Sequence, residues 1–119
     1  MPFDHQKLDV YHRALDAMEA CDEVLELLPP GRAHRRSQVS RAADSIVANI
    51  AEGAGEFSPK EKARFYRMAR RSAIEVAAWL DIIARRGDAP QPMIDHALAR
   101  LEPVVAMLVR RILASAQRA

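Results

Sequence analysis

The sequence predicts an all-α protein folded as an antiparallel, up-down-up-down four-helix bundle. Three observations carry that prediction. Apolar residues recur at three- and four-residue spacing through four segments. Stretches rich in proline and glycine separate them: Pro29-Pro30-Gly31, Gly53 to Pro59, and Gly87 to Pro90. Alanine, leucine and arginine are common and strand formers few. The expected helices cover about 4–28, 34–53, 59–86 and 92–117 of a single domain spanning 1–119. Short connections favour antiparallel neighbours.

The first helix is expected from Asp4 to Leu28. Asp4 is the proposed N-cap, and Phe3 can staple onto Leu8. Leu8, Tyr11, Leu15, Met18 and Leu25 form its apolar stripe. Asp22 interrupts the stripe, either as an edge near solvent or as a buried partner for an arginine. The Pro-Pro-Gly run ends this helix.

The second helix begins within the basic run Arg32 to Arg36 or at Ser37. Val39, Ala42, Ala43, Ile46 and Ile50 share one face, and Gln38, Ser45, Asn49 and Glu52 form a polar stripe along its flank. Gly53 and Gly55 are expected to stop it through a left-handed C-cap.

Ser58, Pro59 and Glu61 supply the cap, first residue and capping box of the third helix. Its expected core face is Phe65, Ala69, Ser72, Val76, Leu80 and Ile83. Arg85 and Arg86 suit its negative end, and Gly87 its C-cap. The fourth helix begins near Pro92 and buries Ile94, Leu98, Leu101, Val105, Leu108 and Ile112. Pro103 removes the hydrogen bond to the Ala99 carbonyl and is expected to kink the helix.

Several function classes are excluded on pattern. No apolar run approaches the ~18 residues of a membrane span. The opening MPFDHQKLDV lacks the regions of a signal peptide, and the lone Cys21 suits a reducing compartment, so a cytoplasmic location is expected. His5, His12, His34 and His96 lack metal-ligand spacing. Gly53 and Gly55 end a helix rather than follow a strand, so they make no phosphate loop. No serine nucleophile with its base is legible. No metal, no cofactor and no enzymatic activity are expected.

Charge is more informative. The net charge is +2, yet residues 1–28 carry seven acids and two bases, and the rest carries the excess of bases. Such asymmetry suits complementarity between subunits, or a basic face for an acidic partner. Lys60, Arg64, Arg67 and Arg71 fall within about 60° of one another on the third helix. They form a line of charges about 16 Å long at 1.5 Å per residue, suited to a phosphate backbone. Arg35, Arg36 and Arg41 on the second segment join them as candidate nucleic-acid contacts. Few aromatics accompany the stripe, so base stacking is not expected.

Two further sets of residues stand out. Ser45, Asn49 and Glu52, answered by Ser72 and Glu75, read as a hydrogen-bonded network between the second and third helices. The alternative is a carboxylate site. Ile74, Trp79 and Ile82 exceed what one core face can use, and Met107 lies roughly opposite the buried stripe of its helix. These are expected contacts for self-association.

Asn49-Ile50-Ala51-Glu52-Gly53, preceded by Ser45-Ile46 and followed by Phe65, Ala69, Ser72 and Glu75, resembles the intervening-sequence four-helix-bundle family. The opening Phe3, Leu8, Val10, Tyr11 and Ala14 also fits, so the resemblance covers nearly the whole chain. Members are encoded within inserts in bacterial 23S rRNA genes, and accessory variability proteins of diversity-generating retroelements are relatives. The resemblance implies a homopentameric ring and no catalytic residues. For the retroelement relatives it implies binding to nucleic acid and to a reverse transcriptase. The expected function is a non-enzymatic oligomeric adaptor for RNA or DNA. The alternative is a protein–protein scaffold with no nucleic-acid role.

Overall fold

Four α-helices form in the computed structural model, which describes residues 2–118. They are α1 (Asp9–Glu26), α2 (Ala33–Gly55), α3 (Pro59–Arg86) and α4 (Gln91–Arg118). α1 packs on α2 and α4, and α3 packs on the same two, while among the described residues the backbones of the diagonal pairs stay apart. Short connections between touching neighbours produce the up-down-up-down bundle, which measures 46 × 28 × 22 Å.

The first helix starts later than its periodicity suggests. Asp4–Lys7 form a 3₁₀ turn, Leu8 is extended (φ −94°, ψ 127°), and α1 begins at Asp9. Gln6 holds the turn, because its side-chain oxygen accepts the Phe3 N–H at 2.8 Å. Asp4 therefore caps nothing, and Phe3 is exposed and stacks on His5 instead of stapling Leu8. Val10, Ala14, Ala17, Cys21 and Val24 face the core. Alanine at these contact positions lets the neighbouring helices approach closely. The larger Leu8, Tyr11 and Met18 cover the seam as half-buried flanks.

α2 runs through both glycines, and neither is left-handed; among the described residues positive φ occurs only at Gly31 (90°) and Gly87 (71°). Gly53 serves a close approach. A Cβ there would lie 2.8 Å from Cε1 of Tyr66. Lys62 closes the helix end, donating from Nζ to the carbonyls of Gly53 (3.3 Å) and Ala54 (2.9 Å). An ammonium at the negative end of a helix is favourable, so a cation from α3 does the work expected of a glycine cap.

α3 is capped as its sequence suggests, with the Ser58 hydroxyl accepting the Glu61 N–H at 3.3 Å. The Glu61 carboxylate turns to Arg64, so only half of the capping box forms. At the other end, Gly87 N–H reaches the Ala84 carbonyl (3.0 Å) and Asp88 N–H the Ile83 carbonyl (3.1 Å), a Schellman closure. Ala69, Val76, Leu80 and Ile83 are buried as expected, but Tyr66 and Ala73 take the core places assigned to Phe65 and Ser72. The space left by Gly53 admits the Tyr66 ring, and Ser72 is held at the flank by a hydrogen bond. α4 buries Ile94, Leu101 and Leu108, keeps Leu98, Val105 and Ile112 half-buried, and continues across Pro103.

Candidate nucleic-acid interface

The outward face of α3 presents Lys60, Arg64, Arg67 and Arg71, all exposed. They are not equivalent. Arg64 donates to both carboxylate oxygens of Glu61 (2.9 and 3.3 Å) and lies 4.4 Å over the Phe65 ring. That hydrogen bond holds the Glu61 carboxyl below the usual carboxylate range. The charge of Arg64 is thus locally neutralised. Lys60, Arg67 and Arg71 form no ion pair among the described residues. Arg41 is exposed on α2 and lines a cleft of about 220 Å³ with Gln38, Ser45, Ser72 and Glu75, beside the same face. Phe57, 99% exposed just before Lys60, adds an aromatic surface that composition alone did not suggest.

Arg35 and Arg36 are engaged in the fold. Arg35 Nη1 and Arg32 Nε both donate to Asp88 Oδ2 at 2.9 Å. The Asp88 side chain is 7% exposed and that of Arg35 18%. This cluster ties the α1–α2 connection to the α3–α4 connection. Arg36 donates to the carbonyls of Leu25 (3.3 Å) and Leu28 (3.2 Å), closing the C-terminal end of α1. Both guanidinia already hold acceptors within the fold. Only long-range packing reveals the Asp88 cluster, because Asp88 stands more than fifty residues from Arg32 and Arg35.

The polar network between α2 and α3 is smaller than its sequence pattern. Ser72 Oγ donates to Ser45 Oγ at 2.9 Å, and Asn49 Nδ2 reaches both Ser45 Oγ (3.0 Å) and the Ser45 carbonyl (2.9 Å). Glu52 and Glu75 lie outside it. Glu52 is exposed, and the end of its helix is already served by Lys62. Glu75 is exposed and accepts from Trp79 Nε1 at 3.3 Å, one turn along its own helix. The carboxylate site considered from sequence therefore does not assemble.

Asp22 is exposed on α1. Partial burial, then the carboxylates of Asp44, Glu26 and Glu19, push its carboxyl above the ordinary value. Among the described residues no arginine pairs with it, so it sits in an acidic patch at the stripe edge. The neighbouring Cys21 thiol is pushed up to about 12 by burial and then by Asp22, which leaves it an unreactive packing group. Burial also raises the Tyr66 phenol, opposed in part by Arg111. Among the described residues no three His, Cys, Asp or Glu side chains converge as metal ligands.

Beyond Arg71 the α3 face changes character. Ile74 is 47% and Ile82 38% exposed, while Trp79 is half-buried against the core. Met107 differs from its expected position: it packs on the core and lines a cleft with Asp9 and Val10 of α1. Its flexible side chain reaches back to cover that seam. The exposed apolar residues of α4 are instead Val109 and Leu113.

The model of the 23S rRNA-intervening sequence protein family matches residues 6–110, which reach from the 3₁₀ turn into the last third of α4. A comparison with curated proteins finds no match.

Proposed function

Because the chain belongs to the 23S rRNA-intervening sequence protein family, we propose that it is a non-enzymatic, self-associating adaptor that holds nucleic acid, RNA or DNA, against α3. The observation that supports this most is the row of unpaired cations Lys60, Arg67 and Arg71 on one helix face, bordered by Arg41. Each phosphate neutralised by such a cation releases a condensed counterion, so binding is driven by charge and carries little sequence preference. Phe57 at the start of the row offers one stacking surface to an unpaired base.

Self-association rests on the apolar half of the α3 face and on the acidic patch of α1. The two surfaces differ, which suits a head-to-tail contact of the kind that closes rings. Five copies is the number taken from the family resemblance, and a reverse transcriptase is the protein partner proposed from the retroelement relationship. No helix among the described residues is long and apolar enough to cross a membrane. A cytoplasmic site of action is part of the proposal.

Fluorescence anisotropy with labelled RNA and DNA tests the reading. Affinity should fall steeply between low and moderate salt, about equally for unrelated sequences. Arg67→Glu with Arg71→Glu should weaken all of them alike and leave the unfolding midpoint unchanged. Failure to detect a complex even at low salt overturns the nucleic-acid reading and favours the protein scaffold, which exposed Ile74 and Ile82 also support. Sedimentation at micromolar concentration should give a species near five chain masses; a monomer would remove the ring.

A further inference from the structure

Past Ile74, the α3 face carries a shallow cavity, open to solvent, of about 630 Å³ lined by Arg32, Asp81, Ile82, Arg85 and Arg86. We propose that this cavity binds a phosphomonoester: the phosphate that ends a nucleic-acid strand, or that of a free nucleoside monophosphate.

The charge balance is the first reason. Four guanidinia gather here, because Arg35 shares Asp88 with the cavity-lining Arg32. Among the cavity lining and this ion pair, Asp81 and Asp88 are the carboxylates that stand against them. Asp88 takes both of its arginines on a single oxygen, and Arg35 Nε is buried without an acceptor among the described residues. Arg85 and Arg86 are exposed and pair with no carboxylate among the described residues. The cluster therefore holds a surplus of about two positive charges. A phosphomonoester supplies about −1.5 to −2 and three acceptor oxygens, where a phosphodiester supplies only one charge. Planar guanidinium forks match those oxygens in bidentate geometry.

Shape is the second reason. Ligand cavities run to roughly 300–1,000 Å³. This one, though open to solvent, exceeds what a phosphate alone needs, and Ile82 offers an apolar contact for the sugar or base. Arg85 and Arg86 occupy the last turn of α3, where their charge offsets the negative helix end that would otherwise repel an anion. Arg71 and Arg85 are about 21 Å apart along the axis at 1.5 Å per residue. That span is short enough for a strand lying along the unpaired cations to bring its terminus to the cavity. That arm rests on the nucleic-acid reading; binding of a free mononucleotide does not.

Calorimetric titration of the full chain with adenosine 5′-monophosphate and with adenosine, at low ionic strength, tests the site. The monophosphate should bind saturably, and adenosine at least about tenfold more weakly, a difference of about 1.4 kcal/mol. Arg85→Gln with Arg86→Gln should weaken the monophosphate about tenfold and keep the helical fold, with only a small drop in the unfolding midpoint from the lost charge at the helix end. Arg67→Gln with Arg71→Gln should not change it. The same proteins are then compared on a 5′-phosphorylated and a 5′-hydroxyl RNA of one sequence. Preference for the phosphorylated RNA, lost in the Arg85/Arg86 variant, assigns the site to strand ends. Mononucleotide binding without that preference assigns it to free nucleotides. No saturable binding of the monophosphate, or binding unaltered in the Arg85/Arg86 variant, overturns the site. Salt-dependent RNA binding in the same samples would then leave the α3 row standing.

Discussion

Two groups of arginines look alike in the sequence and differ in the folded protein. Arg32, Arg35 and Arg36 make a basic run before α2, and Lys60, Arg64, Arg67 and Arg71 make a basic row along α3. The first group is tied to Asp88 and to the carbonyls of Leu25 and Leu28. In the second, among the described residues only Arg64 is paired, with a residue one turn away. A run of charge therefore does not by itself mark a binding surface. What matters is whether an acceptor from elsewhere in the chain has already taken each donor. Removing a partner should damage the fold in the first group and alter only binding in the second.

The largest effect is expected at Asp88. Asp88→Ala leaves Arg35 partly buried with no carboxylate and frees both connections that the cluster ties. Loss of one partner of a buried pair costs about 3 kcal/mol at the lower end of the usual range. Chemical denaturation measures it; a loss below about 0.5 kcal/mol, the level of ordinary surface substitutions, would place Arg35 with the free cations and erase the contrast. The α2–α3 network should give an intermediate value. Ser72→Ala removes one hydrogen bond across the interface, about 1 kcal/mol, while Ser45 keeps its bond from Asn49. Glu75→Ala should change stability by less than about 0.5 kcal/mol, because its carboxylate is exposed. Equal losses in the two variants would put Glu75 back in the network.

The smallest effect sharpens the contrast within the row itself. Glu61→Gln converts Arg64 from a paired to an unpaired cation. Nucleic-acid affinity should rise at low salt, and the slope of log affinity against log salt should steepen by about 1. An unchanged slope would show that Arg64 does not face the phosphates.

Much of the fold was legible because its causes are local. The four helices follow from apolar periodicity, the Ser58 cap and Gly87 closure from residues within one turn, and Ala69, Val76, Leu80 and Ile83 from spacing alone. Some positions depend instead on a residue from another helix. Gly53 suggests a helix stop, yet it makes room for Tyr66, which takes the core place of Phe65. Periodicity places a stripe to within about one residue, and one residue of helix is about 100° of rotation. That margin separates Tyr66 from Phe65 and Ala73 from Ser72, and it misplaced Met107.

The sequence by itself determined the helices, their order and the chemical character of each face, because propensity, capping and periodicity act over a few residues. Only the tertiary structure decided which polar groups remain available to a partner. Asp88 reaches Arg32 and Arg35, Lys62 reaches the end of α2, and Ser72 reaches Ser45 only once the helices have packed. A hydrogen-bond donor satisfied across the bundle cannot be told from a free one by its neighbours in the chain, since its acceptor is set by packing rather than by spacing.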